Sequence, residues 1–234
     1  MITNELLQIK IKQRANKLDS LDYDNIECWQ ISEAFNKVQY EWVRRQVEGL
    51  NQKQIGDEAT KNKIDDIQNL LVETSMDVIK QDLFFETELL PDNYGFFKRV
   101  YAYCEVECCP PRLLKIHLEK EADINELLED EHKKPSAEWG ETFVTIFGNK
   151  LRIYTNNEFD IADTKLIYYR LPRRIEILGC MNENTGEIIT EDVTCEFKED
   201  IVEILCDLTA SVLSGDIELF NQHQRNAGNA QINT

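Results

Sequence analysis

Residues 83–107 read LFFETELLPDNYGFFKRVYAYCEVE, and this stretch decides the fold class. Before it, apolar residues recur with the three- to four-residue period of an α-helix. Within it they form short aromatic or β-branched runs, which turn residues such as PDNYG separate. The change of period near Leu83 predicts that helices give way to a sheet.

The runs that follow continue the sheet pattern. RLLKIHLEK, TFVTIF, KLRIYT and LIYYR are separated by CCPP, HKKPSAEWG, FGN and TNNEFD. One brief helix, ADINELLED (122–130), interrupts them. The spacing predicts about five or six antiparallel strands.

Helical patterns lie on both sides of this segment. The first helix is indicated by Leu6, Leu7, Ile11, Ala15 and Leu18, and a short one is expected over 64–71. The clearest apolar stripe begins at Cys28 and predicts a helix that ends at Gly49. The segment FKEDIVEILCDLTASVLSG (197–215) is predicted to form the last helix. One face of that last helix carries Ile201, Ile204, Leu205, Leu208 and Val212. We expect a stripe of Trp29, Phe35, Val38 and Trp42 to be buried in the bundle with Ile204, Leu205 and Leu208.

The chain is therefore predicted to be α+β, with a helical bundle built from its N- and C-terminal helices and a central antiparallel β-sheet or sandwich insertion. The expected domains are 1–82 with 197–225 as the bundle, 83–196 as the mainly antiparallel β insertion, and 226–234 as a flexible tail. The tail is polar and lacks the apolar groups needed to fold alone.

The formal net charge is −18, and it is concentrated in two blocks. Residues 55–90 carry nine acids and three bases, and residues 180–234 carry eleven and two. Such a charge repels free nucleic acid and anionic membranes. We also expect no membrane span, because the sequence has no run of about 18 apolar residues, and the N-terminus does not have the pattern of a signal peptide.

The seven cysteines are an odd number, and we interpret them as reduced thiols in an intracellular setting. Cys104 and Cys108 have the spacing of half a zinc site, but no second half follows, so neither a metal nor a cofactor is expected. The three histidines lie in separate segments, which argues against catalytic residues built on them. Five acids of the last helix region are read as a solvated face: Glu196, Glu199, Asp200, Glu203 and Asp207.

A basic, tyrosine-rich corner, KLIYYRLPRR (165–174), stands out in this acidic chain. Its three arginines are too few for nucleic-acid binding. Tyrosine and arginine are enriched in protein–protein interfaces, so Tyr169, Arg170, Arg173 and Arg174 are predicted to contact a partner. Pro172 has no N–H to donate, so the strand either ends there or lies at a sheet edge.

Several segments together resemble a known family. They are QISEAFNKVQYEWVRRQ (30–46), PSAEWGETFVTIFGNKLRIYT (135–155), LIYYRLPRRIEIL (166–178) and EFKEDIVEILCDLTASVLSGDIELFNQHQRN (196–226). Their order resembles the head-to-tail connector (neck or ring) proteins of tailed bacteriophages, particularly crAss-like podoviruses infecting Bacteroidota. The likeness is one of organisation and includes no catalytic signature.

The resemblance implies a virion structural protein without enzymatic activity, assembled in the host cytoplasm. It would form a homo-oligomeric ring, usually of twelve copies, below the portal protein and beside other neck or tail rings. DNA would pass through the ring without specific binding, and the C-terminal segment would dock on the portal. In that segment the expected contacts are Phe220, Gln224, Arg225 and Ile232.

Two other functions remain open from the sequence. The first is an acidic interaction protein, such as a DNA mimic or a regulator of a nucleic-acid-binding enzyme. The evenly balanced charge of residues 1–54 and 135–179 argues against a mimic. The second is a thiol or zinc enzyme, for which the sequence offers only the cysteines already named.

Overall fold

A computed structural model describes residues 2–15, 26–50, 65–106, 109–182 and 185–216. Helices lie towards both ends of the chain and sheets lie between them, which confirms the predicted α+β class. The chain divides into two compact units, Leu71–Leu171 and the combination of Met1–Leu70 with Pro172–Thr234. We call them the β unit and the helical unit.

The named elements of the described residues are four α-helices, two short 3-10 helices (Gln68–Leu70 and Glu121–Asp123) and nine strands. The helices are α1 (Asn4–Arg14), α2 (Cys28–Glu48), α3 (Ile124–Glu129) and α4 (Glu199–Asp216). The strands are β1 (Leu71–Ser75), β2 (Val78–Lys80), β3 (Phe84–Thr87), β4 (Tyr94–Val106), β5 (Cys109–Leu113), β6 (Lys115–Leu118), β7 (Glu141–Phe147), β8 (Lys150–Tyr154) and β9 (Asp160–Arg170).

Local chemistry sets the ends of the first two helices. The Thr3 hydroxyl accepts a hydrogen bond from the Leu6 N–H at the start of α1. A capping box between Glu27 and Gln30 begins α2. Gly49, in the left-handed conformation with φ +70°, ends it.

The core of the helical unit forms where α1 and α2 both pack against α4. Phe35, Val38 and Trp42 of α2 are buried as predicted, and the Trp42 ring meets Phe197 edge-on at 5.4 Å between centroids. Trp29 is only half-buried.

The buried face of α4 differs from the predicted one. Leu205 is fully buried as expected, but Ile204, Leu208 and Val212 are half-buried. The buried positions are Ile201, Val202, Leu205, Cys206, Thr209, Ala210, Ser211, Leu213 and Ser214. Because two helices cover α4, its buried arc includes adjacent pairs of positions that a single apolar stripe does not predict.

The β unit contains two sheets with a core between them. One has the strand order β1-β9-β4-β5 and the other β2-β3-β8-β7-β6. Alternate residues of β4, such as Val100 and Ala102, share one buried cluster with Leu151 and Ile153 of β8. A smaller cluster of Ile124, Phe143 and Tyr154 lies beside it, and Leu127 and Leu128 of α3 pack against that cluster.

The strand prediction needs two corrections. Strands β1 and β2 precede Leu83, within the range assigned to helices. The short helix expected over 64–71 is present over 65–67 and continues as a 3-10 turn over Gln68–Leu70, but Leu71 begins β1. The residues of both strands are mostly half-buried or exposed, so they lack the apolar run that marks an interior strand.

The second correction is that β6 and β7 are parallel. The run RLLKIHLEK divides at buried Leu114, so that β5 stays in the first sheet and β6 enters the second. The chain then returns through α3, and a crossover connection of this kind makes the two strands parallel.

Candidate functional site

The end of β9 holds the first half of the predicted basic corner. This strand lies between β1 and β4 and is hydrogen-bonded on both sides, so the sheet-edge alternative is wrong. The strand-end alternative is confirmed: β9 stops at Arg170, and the Leu171 N–H turns to donate to the Asn93 carbonyl. Pro172, with no N–H, follows directly.

Tyr169 and Arg170 are less accessible than a surface contact would require. Tyr169 is 4% exposed, and the Lys98 ammonium lies 5.8 Å from its ring centroid. Arg170 is half-buried, and its guanidinium donates to the Leu171 carbonyl at 3.2 Å. In the single chain both residues therefore serve packing, and their role as partner contacts stays a prediction.

Arg173 and Arg174 belong to the helical unit, and both are exposed. The backbone N–H of Arg173 donates to Glu196 Oε1 at 2.9 Å, and its guanidinium lies 3.4 Å from Glu196 Oε2. Its carbonyl accepts from the Gln39 amide. Phe220, Gln224, Arg225 and Ile232, like the whole predicted 226–234 tail, lie outside the described residues.

A loop of the helical unit, which no sequence motif marks, exposes several large apolar side chains. We call residues 176–182 and 185–193 the docking loop. Its two arms are joined by bridges between Glu176 and Val193 and between Met181 and Ile188. Three large apolar side chains project from it: Leu178 is 60% exposed, Met181 47% and Ile188 70%.

Several anchors at the base fix the docking loop to the helices. Buried Asn4 of α1 donates through Nδ2 to the carbonyls of Glu176 and Val193, at 2.8 and 3.2 Å. The Asp192 carboxylate accepts from the same amide and from the Leu178 N–H. A disulfide joins Cys180 of the loop to Cys28 at the start of α2. These hydrogen bonds and the disulfide hold the backbone that bears the exposed apolar side chains in one position.

This disulfide corrects the prediction that the cysteines are reduced thiols. Cys28 and Cys180 are 152 positions apart in sequence but have Cα atoms 5.9 Å apart, a separation that only the fold reveals. Cys104, Cys195 and Cys206 are free and buried, as small core residues would be. Burial raises the pKa of the Cys195 thiol to about 11 and that of Cys206 to about 12, so both stay protonated at neutral pH.

The acidic side chains near α4 are not all a solvated face. Glu203 pairs with Lys10 and Arg14 of α1, and Asp207 Oδ1 lies 2.6 Å from Arg14 Nε. Partial burial acts to raise the pKa of Glu203, but the hydrogen bonds from the two bases outweigh it and lower that pKa. Glu199 and Asp200 are exposed as predicted, whereas the Glu196 side chain is 7% exposed.

The β unit contains a cavity of about 570 Å³ at the end of β6, beside α3 and the 132–140 turn. His117 and His132, which lie in separate sequence segments, both line it. Five glutamates and two lysines line it as well, together with Trp139. In the part of the chain that the structure describes, no three His, Cys, Asp or Glu side chains are arranged to hold a metal ion.

No protein-family model matches the chain, and comparison with curated protein sequences finds no significant match. Among the described residues, no helix combines the length and the apolarity that crossing a membrane requires.

Proposed function

We propose that this chain is a virion structural protein that forms a head-to-tail connector ring below the portal of a tailed bacteriophage. The docking loop is the observation that carries the proposal. Leaving three large apolar side chains exposed on a fixed frame is unfavourable in an isolated chain, and such surfaces are typical of protein–protein contacts. A ring subunit needs a surface of this kind, because each copy contacts the next.

We assign the docking loop to the contact between neighbouring copies. A ring closes when one surface of each subunit binds a different surface of the next. The anchors from Asn4, Asp192 and Cys28 hold the loop in place before association. A preorganised loop loses little conformational entropy on binding, which favours assembly.

The charge distribution also suits a conduit for DNA. The net charge is −18, and residues 180–234 contribute eleven acids against two bases. In a ring these charges would be repeated around the axis. A wall of negative charge repels the phosphate backbone, so DNA would pass without binding.

The loop assignment is tested by adding charge to it. The double variant Leu178→Glu with Ile188→Glu should remain folded, since both side chains are exposed, but should lose ring formation. Leu50→Glu is the matched control, because Leu50 is 65% exposed and lies just after α2, outside the loop. Light scattering coupled to size exclusion, with and without portal, gives the mass of each species. Rings of the double variant equal to those of the control would refute the loop's role.

A further inference from the structure

The cavity of the β unit is lined by glutamates that have no role in the proposed contact between connector subunits. Glu141 pairs with Lys115 at 3.1 Å, and Glu158 lies 3.8 Å from Lys134. In the described part of the chain, the other three glutamates of the cavity have no ion-pair partner: Glu119, Glu131 and Glu138. The cavity therefore retains negative charge that its own lysines do not neutralise.

Trp139 is the second feature of this cavity. It is 77% exposed, the largest exposed fraction among the large apolar side chains of the described residues. A tryptophan normally buries its ring, so a ring left this open is available to stack against a ligand.

The turn that carries Trp139 is held firmly. The Gly140 N–H donates to the Ser136 carbonyl at 2.9 Å, and the Trp139 N–H donates to the Ser136 hydroxyl at 3.3 Å. Arg112 of β5 donates to the Glu138 carbonyl at 2.6 Å. Gly140 has φ +66°, and a side chain there would be strained and would come within 3.2 Å of Arg112 Cδ. The ring is thus presented in a defined place.

The same unit already holds a guanidinium by this combination of groups. The Arg152 guanidinium carbon lies 3.6 Å from the centroid of the Phe147 ring and 5.0 Å from that of Phe84. The carboxylates of Glu86 and Glu121 each lie 3.4 Å from its nitrogens. Aromatic faces attract cations through their quadrupole, and arginine combines this stacking with hydrogen bonds to carboxylates.

We infer that the cavity binds an arginine-bearing segment of a partner protein, with a guanidinium stacked on Trp139 and paired with the cavity glutamates. The charge selects a basic partner, and the exposed ring selects arginine over a compact ammonium. A volume of about 570 Å³ is in the range of ligand-binding pockets, so it has room for several residues of such a segment. The inference does not depend on the chain being a connector.

The test uses the full chain and a fluorescein-labelled tetra-arginine peptide, with fluorescence anisotropy at low ionic strength. A tetra-citrulline peptide is the matched probe, since citrulline keeps the shape of arginine without its charge. We expect tetra-arginine to bind and tetra-citrulline to bind at least about tenfold more weakly. Trp139→Ala should weaken tetra-arginine binding by about three- to thirty-fold.

Two further variants separate the cavity from general attraction to a chain of net charge −18. Glu131→Gln combined with Glu138→Gln removes charge inside the cavity and should weaken binding by at least about fivefold. Glu33→Gln with Glu41→Gln removes the same charge from the exposed face of α2 and should leave affinity within about twofold. Equal losses from the two pairs would overturn the inference, as would absence of tetra-arginine binding.

A measurement on the unaltered protein guards against a folding defect in the variants. In a heteronuclear NMR titration, tetra-arginine should shift the Trp139 indole N–H resonance, while the buried Trp42 indole should not respond. An unchanged Trp139 resonance, or binding unaffected by Trp139→Ala, would show that the cavity does not take the guanidinium.

Discussion

At the scale of single residues, Asn36 shows how a buried polar side chain can organise an irregular segment. Its Oδ1 accepts from the Ile175 N–H at 2.8 Å, and its Nδ2 donates to the Ile175 carbonyl at 3.2 Å. The Gln39 amide donates to the same Oδ1. Ile175 is 1% exposed, so these backbone groups have no access to water. The asparagine of α2 therefore provides the partner that a neighbouring strand would otherwise supply.

We predict that Asn36→Ala lowers the free energy of unfolding by about 1–3 kcal/mol, since it leaves buried donors and acceptors of Ile175 unpaired. Urea denaturation followed by circular dichroism measures the change. Glu33→Ala, on the exposed side of the same helix, is the control and should change stability by no more than about 0.5 kcal/mol. If Asn36→Ala proved as mild as the control, the amide pairing would contribute nothing to stability.

Phe35, the neighbouring residue, tests the packing of the same helix. Its ring is fully buried in the helical unit. Phe35→Ala should cost about 3–5 kcal/mol of unfolding free energy through lost burial and the remaining cavity. Leu50→Ala removes an apolar side chain that is 65% exposed and should be nearly neutral. An unchanged denaturation midpoint for Phe35→Ala would show that this face of α2 is not core.

At the scale of elements, a cluster of ion pairs joins α1 and α4. The pKa values of its two carboxylates, Glu203 and Asp207, are shifted in opposite directions. Burial acts to raise the pKa of Glu203, but Lys10 and Arg14 more than offset this and lower it. Burial raises the pKa of Asp207 more than Arg14 lowers it. Ionised Glu203 thus stabilises the folded state, whereas ionised Asp207 opposes part of that gain.

The pH dependence follows from the lowered pKa of Glu203. Its contribution to stability is present above its unfolded-state pKa and is lost as the pH falls through its lower folded-state pKa. We predict that Glu203→Gln makes the denaturation midpoint fall less steeply than in the wild type as the pH drops below about 4.5. The control Glu33→Gln should show the same fall of the denaturation midpoint with pH as the wild type. If the denaturation midpoints of the wild type and of Glu203→Gln fell in parallel with pH, the assigned ion pairs would be contradicted.

The disulfide is the other link between elements, because it ties α2 to the docking loop. Iodoacetamide added to the denatured protein without reductant should leave Cys28 and Cys180 unmodified, and peptide mass spectrometry reads this directly. Cys180→Ser should lower the unfolding free energy by about 2–4 kcal/mol, since closing a long loop restricts the unfolded chain. Full alkylation of both cysteines before reduction would show that the bond does not form.

The sequence predicts elements best where apolar residues form a continuous run or a clear period. Strands β4, β7, β8 and β9 carry the apolar or aromatic runs that mark an interior strand, and the stripe of α2 has a clear helical period. Strand β1 escapes prediction because it lies at a sheet edge, where alternate side chains remain exposed. The additional buried positions of α4 arise because both α1 and α2 pack against it. The hydrophobic period of a single helix does not predict such a second neighbour.

The surfaces were harder to predict than the elements. Leu178 and Ile188 are ordinary apolar residues in sequence, and only the fold leaves them exposed on the docking loop. His117 and His132 meet at one cavity because the crossover through α3 returns the chain beside β6. Tyr169 looked like an interface residue, yet its strand has neighbours on both sides. Each case depends on tertiary packing that residue type and spacing do not contain.

At the scale of the whole molecule, the chain contains two compact units that carry different surfaces. The helical unit carries the docking loop, which we assign to contact between copies. The β unit carries the acidic cavity with Trp139, which we assign to an arginine-bearing partner. A connector has to bind both its own copies and other components, so two chemically different surfaces suit that function.

Electron microscopy of the purified protein mixed with its portal is the decisive test of whether this chain forms a ring below the portal. We expect class averages showing a closed ring of the chain, about twelve-fold symmetric, coaxial with the portal and open along its axis. The Leu178→Glu with Ile188→Glu variant should leave the portal particles without this ring. A wild-type chain that stays monomeric alone and with portal would refute the ring proposal and favour an acidic regulator of another protein.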